Sequence, residues 1–217
     1  MKGLILKDII NVKKGFKFMF AFAMIYVVMS FSMDSTSYFS SMFTLIFAML
    51  TLSAYSLDEM AKWDGYALTM PITKENVVQG KYLFMLVLTA TGLTINSIVV
   101  VLLNILMKAE KLYSGLEGGV IGAGLVILFY SFSIPFITKF GVEKSRYIVA
   151  AIYIIPFIAG TGIYKYLKER YPEPPEILVN MAGFLVRNIY ILVPIIVLVS
   201  LWISYRISVK IYQKKEF

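Results

Sequence analysis

Residues 82–107 read YLFMLVLTATGLTINSIVVVLLNILM, a run of 26 residues without Lys, Arg, Asp or Glu. An α-helix rises about 1.5 Å per residue, so about 20 mostly apolar residues cross the roughly 30 Å hydrocarbon core of a bilayer. This run meets that length with turns to spare. Working outward, five more segments meet it: Phe16–Met33, Tyr38–Leu57, Gly119–Thr138, Tyr147–Tyr164 and Asn188–Ser208. The expected fold is all-α, a polytopic membrane protein in which residues 1–217 form a single transmembrane domain of six spans.

Composition agrees with that expectation. Of 217 residues, 59% are apolar and 16% charged, and the mean hydropathy is +0.77. A soluble domain carries about 25% charged residues, so this chain has too little polar surface to coat a water-soluble globule. None of the six cores places an acidic or basic residue deep in the membrane, which argues against a proton relay. The net charge of +8 sits in short clusters beside apolar runs. It forms no basic stripe suited to nucleic acid, so membrane lipid is the expected charged partner and nucleic acid is not.

Cysteine and histidine are both absent. Disulfides, thiolate or imidazole metal sites, and Ser-His or Cys-His catalysis are therefore excluded. Gly80-Lys81 is followed by Tyr82 and belongs to no phosphate-binding GxxxxGK[ST] loop. No enzyme activity, cofactor, metal or nucleotide site is expected in this chain. The start does not read as a cleavable signal peptide, because no small-residue site closes its first apolar run.

Orientation follows from the cations. With the N-terminus inside, Lys2, Lys7, Lys13, Lys14, Lys17, Lys62, Lys74, Lys81, Lys139, Lys144, Arg146, Arg206, Lys210, Lys214 and Lys215 are cytoplasmic. Lys108, Lys111, Lys165, Lys168, Arg170 and Arg187 are outside. Fifteen against six places both termini in the cytoplasm of a cell-membrane protein.

Three pieces do not span. Residues 1–15 predict an interfacial helix, with Ile5, Ile9, Val12 and Phe16 on one side and Lys7, Asp8, Asn11 and Lys14 on the other. Residues 58–81, DEMAKWDGYALTMPITKENVVQGK, predict a short helix, a break marked by Pro71, and a second helix capped by Thr73 that runs into span three. A folded element here suggests a docking surface for a cytoplasmic partner. In the outer segment 165–187, Pro172, Pro174 and Pro175 break the first half, and the apolar second half is too short to span, which predicts a re-entrant or interfacial helix. Within the membrane, Asn96 and Asn104 of span three either hydrogen-bond neighbouring spans or line a translocation route. Gly118 and Gly122 offer small-xxx-small packing.

The stretch Leu68-Thr69-Met70-Pro71-Ile72-Thr73-Lys74-Glu75-Asn76-Val77-Val78-Gln79-Gly80-Lys81-Tyr82 resembles a pattern of small permease subunits of type-2 (ABC-2) ATP-binding-cassette exporters. That pattern reads Leu-Pro-hydrophobic-Ser/Thr-basic-acidic, then Gly-Lys-Tyr entering span three; here Met70 precedes the proline and Thr73-Lys74 stands for Ser-Arg. The resemblance covers nearly the whole layout. It implies a separate cytoplasmic ATPase, itself holding ATP and magnesium, docked on a coupling helix between spans two and three. It further implies that Glu59, Trp63, Asp64, Pro71, Thr73, Lys74 and Glu75 carry the mechanical contact, and that the chain pairs with a second copy or a sibling permease. The apolar spans suggest an exported amphipathic or hydrophobic cargo such as a peptide. The competing reading is the substrate-capturing component of a vitamin-uptake system, or another carrier without its own ATPase. Span one, with Ala21 and Ala23, lacks the Ala-xxx-Ala face common in such components.

Overall fold

The computed structural model describes residues 2–33, 35–67, 69–109, 111–170 and 188–215. Eight helices account for most of them: α1 (Lys2–Val12), α2 (Gly15–Ser32), α3 (Ser37–Met60), α4 (Trp63–Ala67), α5 (Lys74–Leu106), α6 (Leu116–Phe140), α7 (Val142–Arg170) and α8 (Ile189–Gln213). Gly15–Ser32, Lys74–Leu106, Leu116–Phe140 and Ile191–Gln213 are each long and apolar enough to cross a membrane. The other two expected spans fall in α3 and α7, helices of 24 and 29 residues. The re-entrant helix expected between spans five and six falls on 171–187, outside the described residues.

Helices α3, α5 and α6 form the centre. Helix α8 packs on α6 and α5, α2 packs on α3, and α7 packs on α6. One half of the core joins Phe39, Phe43, Phe47 and Leu50 of α3 to Phe84, Leu88, Val100 and Leu103 of α5. The three phenylalanines of α3 recur every fourth residue, which puts them on one helix face, with ring centroids 5.3 and 5.9 Å apart. The other half joins Met85 of α5 to Val126, Tyr130 and Ile134 of α6. Outward faces are strongly apolar: Phe18, Phe20, Val28, Ile121 and Leu198 are all exposed. That is the reverse of a water-soluble surface and suits lipid.

The face of α3 turned inward carries a polar seam beside its phenylalanines. Ser40, Thr44, Thr51 and Asp58 follow one another at spacings of four and seven, and all are buried. Helical periodicity keeps such positions on a single stripe.

Helix α1 corrects the face assigned to it. Its buried residues are Asp8 and Val12, while Leu6, Ile9 and Ile10 point outward. Asp8 therefore belongs to the protein-facing side, and the apolar outward side is the one available to lipid. An ion-pair partner on α5, far away in sequence, draws the carboxylate inward. Helix α7 continues through Arg170, so the polar residues 165–170 extend that helix and do not open a loop.

Candidate functional site

The functional candidates gather at the end of the bundle where α1, α4, the C-termini of α3, α6 and α8, and the N-termini of α5 and α7 meet. Two breaks in α-helical structure build it. After α3, Lys62 takes a left-handed conformation, with φ 49°, which turns the chain into the five-residue α4. A second break, containing Pro71, separates α4 from α5. There Thr73 is extended, with φ −80° and ψ 151°, and its hydroxyl accepts from the Asn76 N–H at 3.1 Å. This is the expected N-cap, and Glu75 in the first turn adds negative charge at the positive end of the helix dipole.

At the centre lies an ion-pair cluster whose members come from three helices. The Lys81 ammonium of α5 is 3.0 Å from the Asp8 carboxylate of α1 and 2.6 Å from Asp58 of α3. Lys7 reaches the same two acids at 3.0 and 2.6 Å. The Asp8 side chain is 2% exposed, Asp58 9% and Lys81 10%. Two cations face two anions, so a group too dry to hold a single charge is balanced overall. Aromatic faces extend it: Lys7 Nζ lies 4.1 Å from the Trp63 ring centroid and Lys81 Nζ 4.9 Å from that of Tyr55.

A second set of polar contacts ties α4 and the start of α5 to the end of α8. Tyr212 donates its hydroxyl to Asp64 at 3.1 Å, and Lys215 pairs with the same carboxylate at 3.3 Å. Lys74 donates to the carbonyls of Gln213 and Lys215 at 3.1 and 2.9 Å. Tyr205 donates to Glu75 at 3.1 Å. Between this set and the ion-pair cluster lies a cavity of about 110 Å³, lined by Tyr55, Asp58, Asp64, Lys81, Tyr212 and Lys215. It has room for several waters among charged walls.

The structure thus gives each of the seven coupling candidates a place. Glu59 accepts from the Val142 N–H at 2.5 Å and so holds the first turn of α7. Gly141, at φ 82°, makes the turn into that helix, and a side chain there would collide with the Glu59 carboxylate. Trp63, Asp64, Lys74 and Glu75 are held from within the chain by Lys7, Tyr212, Lys215, the last carbonyls of α8 and Tyr205. Thr73 caps α5, and Pro71 is exposed in the break. Glu59, Pro71, Thr73 and Glu75 keep exposed surface on the element, beside Met60, Gly65 and Tyr66, whereas Trp63, Asp64 and Lys74 are half-buried.

Sequence reading missed Lys7, Asp8, Tyr212 and Lys215, and it missed the reason for Gly80-Lys81-Tyr82. Gly80 lets Leu4 of α1 approach α5, an added Cβ lying 3.3 Å from it. Lys81 binds the acids of α1 and α3. The Tyr82 hydroxyl contacts Ser204 and Ser208 of α8 at 2.6 and 2.9 Å. Three successive residues thus fix three different neighbours. The available signal was Asp8 itself, which falls in register with Ile5 and Val12 on one helical stripe.

In mid-bundle, Asn96 donates to Ser40 of α3 at 2.9 Å, and its carbonyl oxygen is buried without a partner among the described residues. Gly119 of α6 packs directly on this pair, and Gly122, one turn further along the helix, is buried as well. Asn104 donates to the carbonyls of Leu112 and Ser114 at 2.8 and 2.9 Å and accepts from Thr36 at 3.0 Å. It pins the turn between α5 and α6 to the start of α3.

A sequence model of the family described as "ABC-2 family transporter protein" matches residues 3–213. No curated protein and no solved structure matches the chain.

Proposed function

The chain belongs to the ABC-2 family of transporter proteins, and from that premise we propose that it is the six-span permease subunit of an ATP-binding-cassette exporter. Both termini are cytoplasmic, and α4 is the coupling helix on which a separate ATPase docks. The observation that carries this reading is the build of residues 58–81. They form a folded knuckle with exposed Met60, Tyr66 and Pro71, braced from behind by α1, α3 and α8. A load applied there reaches three transmembrane helices through ion pairs and charge-assisted hydrogen bonds, which a flexible loop does not provide.

In this scheme ATP-driven closure of two ATPases displaces the knuckles of two permeases, the second being another copy or a sibling chain. Glu59, Trp63, Asp64, Lys74 and Glu75 then act as braces behind the contact, and Pro71 lies on it. The exported cargo is amphipathic or hydrophobic, such as a peptide, in keeping with a bundle whose membrane-level interior holds hydroxyls and amides in place of charges. Family membership favours this reading over a substrate-capture component.

The test is co-expression with a candidate ATP-binding-cassette ATPase from the same genome and purification through a tag on the permease. Met60→Glu with Tyr66→Glu should abolish ATPase recovery while leaving helicity and monodispersity unchanged. Full recovery of the ATPase with that variant overturns the docking assignment. Transport of hydrophilic cargo alone overturns the cargo class.

A further inference from the structure

A groove of about 500 Å³ runs between α6 and α8 on the outward surface of the bundle. Its walls are two matched rows, Phe132, Phe136 and Phe140 on α6 and Ile203, Ile207 and Ile211 on α8. Each row repeats every fourth residue, so each lies along one face of its helix. The floor is low because Ser131, Pro135 and Ser204 present short side chains between the rows. Pro135 also has no N–H to give the Ser131 carbonyl, and the Ser131 hydroxyl is buried without a partner among the described residues.

We propose that this groove holds one acyl chain of an anionic phospholipid, with the headgroup phosphate on Lys139. The walls extend over residues 132–140, roughly 12 Å of helix, which matches a long stretch of alkyl chain within one leaflet. Phe136 and Phe140 stack with centroids 6.5 Å apart and 16° between planes, giving a smooth wall for methylene contact. Lys139 lines the groove at its charged end, exposed, with its ammonium 5.0 Å from the Phe140 ring centroid. Exposed Lys210 stands near the same end of α8. Both sit at the end of the bundle rich in cations, where an acyl groove meets the headgroup layer.

The apolar walls supply shape and not selectivity, because bilayer tails are as apolar as the groove and an acyl chain gains little by transfer between them. Preference for one lipid must come from the headgroup. A surface lysine beside an anionic headgroup confers about a fivefold preference. This site is independent of ATPase docking, which occurs on α4.

Native mass spectrometry of the purified chain in detergent, titrated with dioleoyl phosphatidylglycerol or dioleoyl phosphatidylcholine, tests it. The wild type should retain one phosphatidylglycerol about fivefold better than phosphatidylcholine, and Lys139→Gln should erase that preference. Ile207→Trp, which fills the groove from a lipid-exposed position, should lower occupancy by both lipids and remove the roughly fivefold preference for phosphatidylglycerol. Val28→Trp on the outward face of α2 should leave both unchanged. The proposal is overturned if the wild type retains no lipid, if Ile207→Trp keeps wild-type occupancy, or if Lys139→Gln keeps the preference. It is equally overturned if Ile207→Trp dissociates a dimer without altering lipid, since a second copy would then be the occupant.

Discussion

Replacing Lys81 with Met should be among the most damaging single changes in this protein, and the reason is countable charge. Lys81 lies 3.0 Å from Asp8 and 2.6 Å from Asp58, and its side chain is 10% exposed. Met keeps most of the volume but leaves two buried carboxylates facing Lys7 alone. Breaking a buried pair from one side costs about 3–5 kcal/mol. Because Lys7 still contacts both acids, the lower end applies, about 3 kcal/mol, or a factor of roughly 150 in the folding equilibrium. Asp8→Asn combined with Lys81→Met removes one charge of each sign and leaves the Lys7–Asp58 pair intact. The double variant should recover to within about 1 kcal/mol of wild type, so that Asp8→Asn restores about 2 kcal/mol in the Lys81→Met background. Unfolding in mixed detergent–SDS micelles reads this out. Trp63 fluorescence is a local probe, since Lys7 lies 4.1 Å from its ring centroid. A Lys81→Met variant within about 0.5 kcal/mol of wild type, or single effects that simply add, would refute the cluster as a balanced buried unit.

Thr73→Ala removes the hydroxyl that accepts from Asn76 and should cost about 1 kcal/mol; amide exchange at residues 74–77 should quicken while exchange further along α5 does not. Gly119→Ala places a methyl group against the Asn96–Ser40 pair and should cost about 1–3 kcal/mol by overpacking. Gly124→Ala, with nothing within 4 Å of the added carbon, should be neutral or mildly stabilising in the same thermal-shift assay. Tyr82→Phe strips the partner from two buried serines on α8 and should lower stability by about 1–3 kcal/mol; further removal of both hydroxyls with Ser204→Ala and Ser208→Ala should restore part of it.

Local features were read correctly where one segment decides them. The 26-residue apolar run became the membrane part of a 33-residue helix, because no charge, glycine cluster or proline interrupts residues 82–106. The Thr73 cap, the Pro71 break and the short helix before it follow from turn and capping chemistry that needs no partner. Helix α1 shows the opposite case. Its amphipathic pattern predicts a helix, yet sorting its residues by polarity put Asp8 on the wrong face. A carboxylate is pulled into the protein only when cations wait there, and one of these, Lys81, is 73 residues away.

The coupling candidates divide on the same principle. The position of the element between two apolar runs is visible in the chain, but which of its side chains face a partner is not. Asp64 and Lys74 look like surface charges in the sequence; folding half-buries them in contacts with the end of α8, while Glu75 stays exposed and accepts from Tyr205. Met60 and Tyr66, apolar or aromatic and unremarked in the sequence, are left outside. What residues alone determined here is the solvent each segment demands: hydrocarbon for the long runs, water or headgroups for the charged breaks, and a capped start for α5. What only the tertiary structure decided is pairing. Ion pairs and hydrogen bonds between helices join residues from 23 to 151 positions apart, and helical periodicity carries no information across such distances.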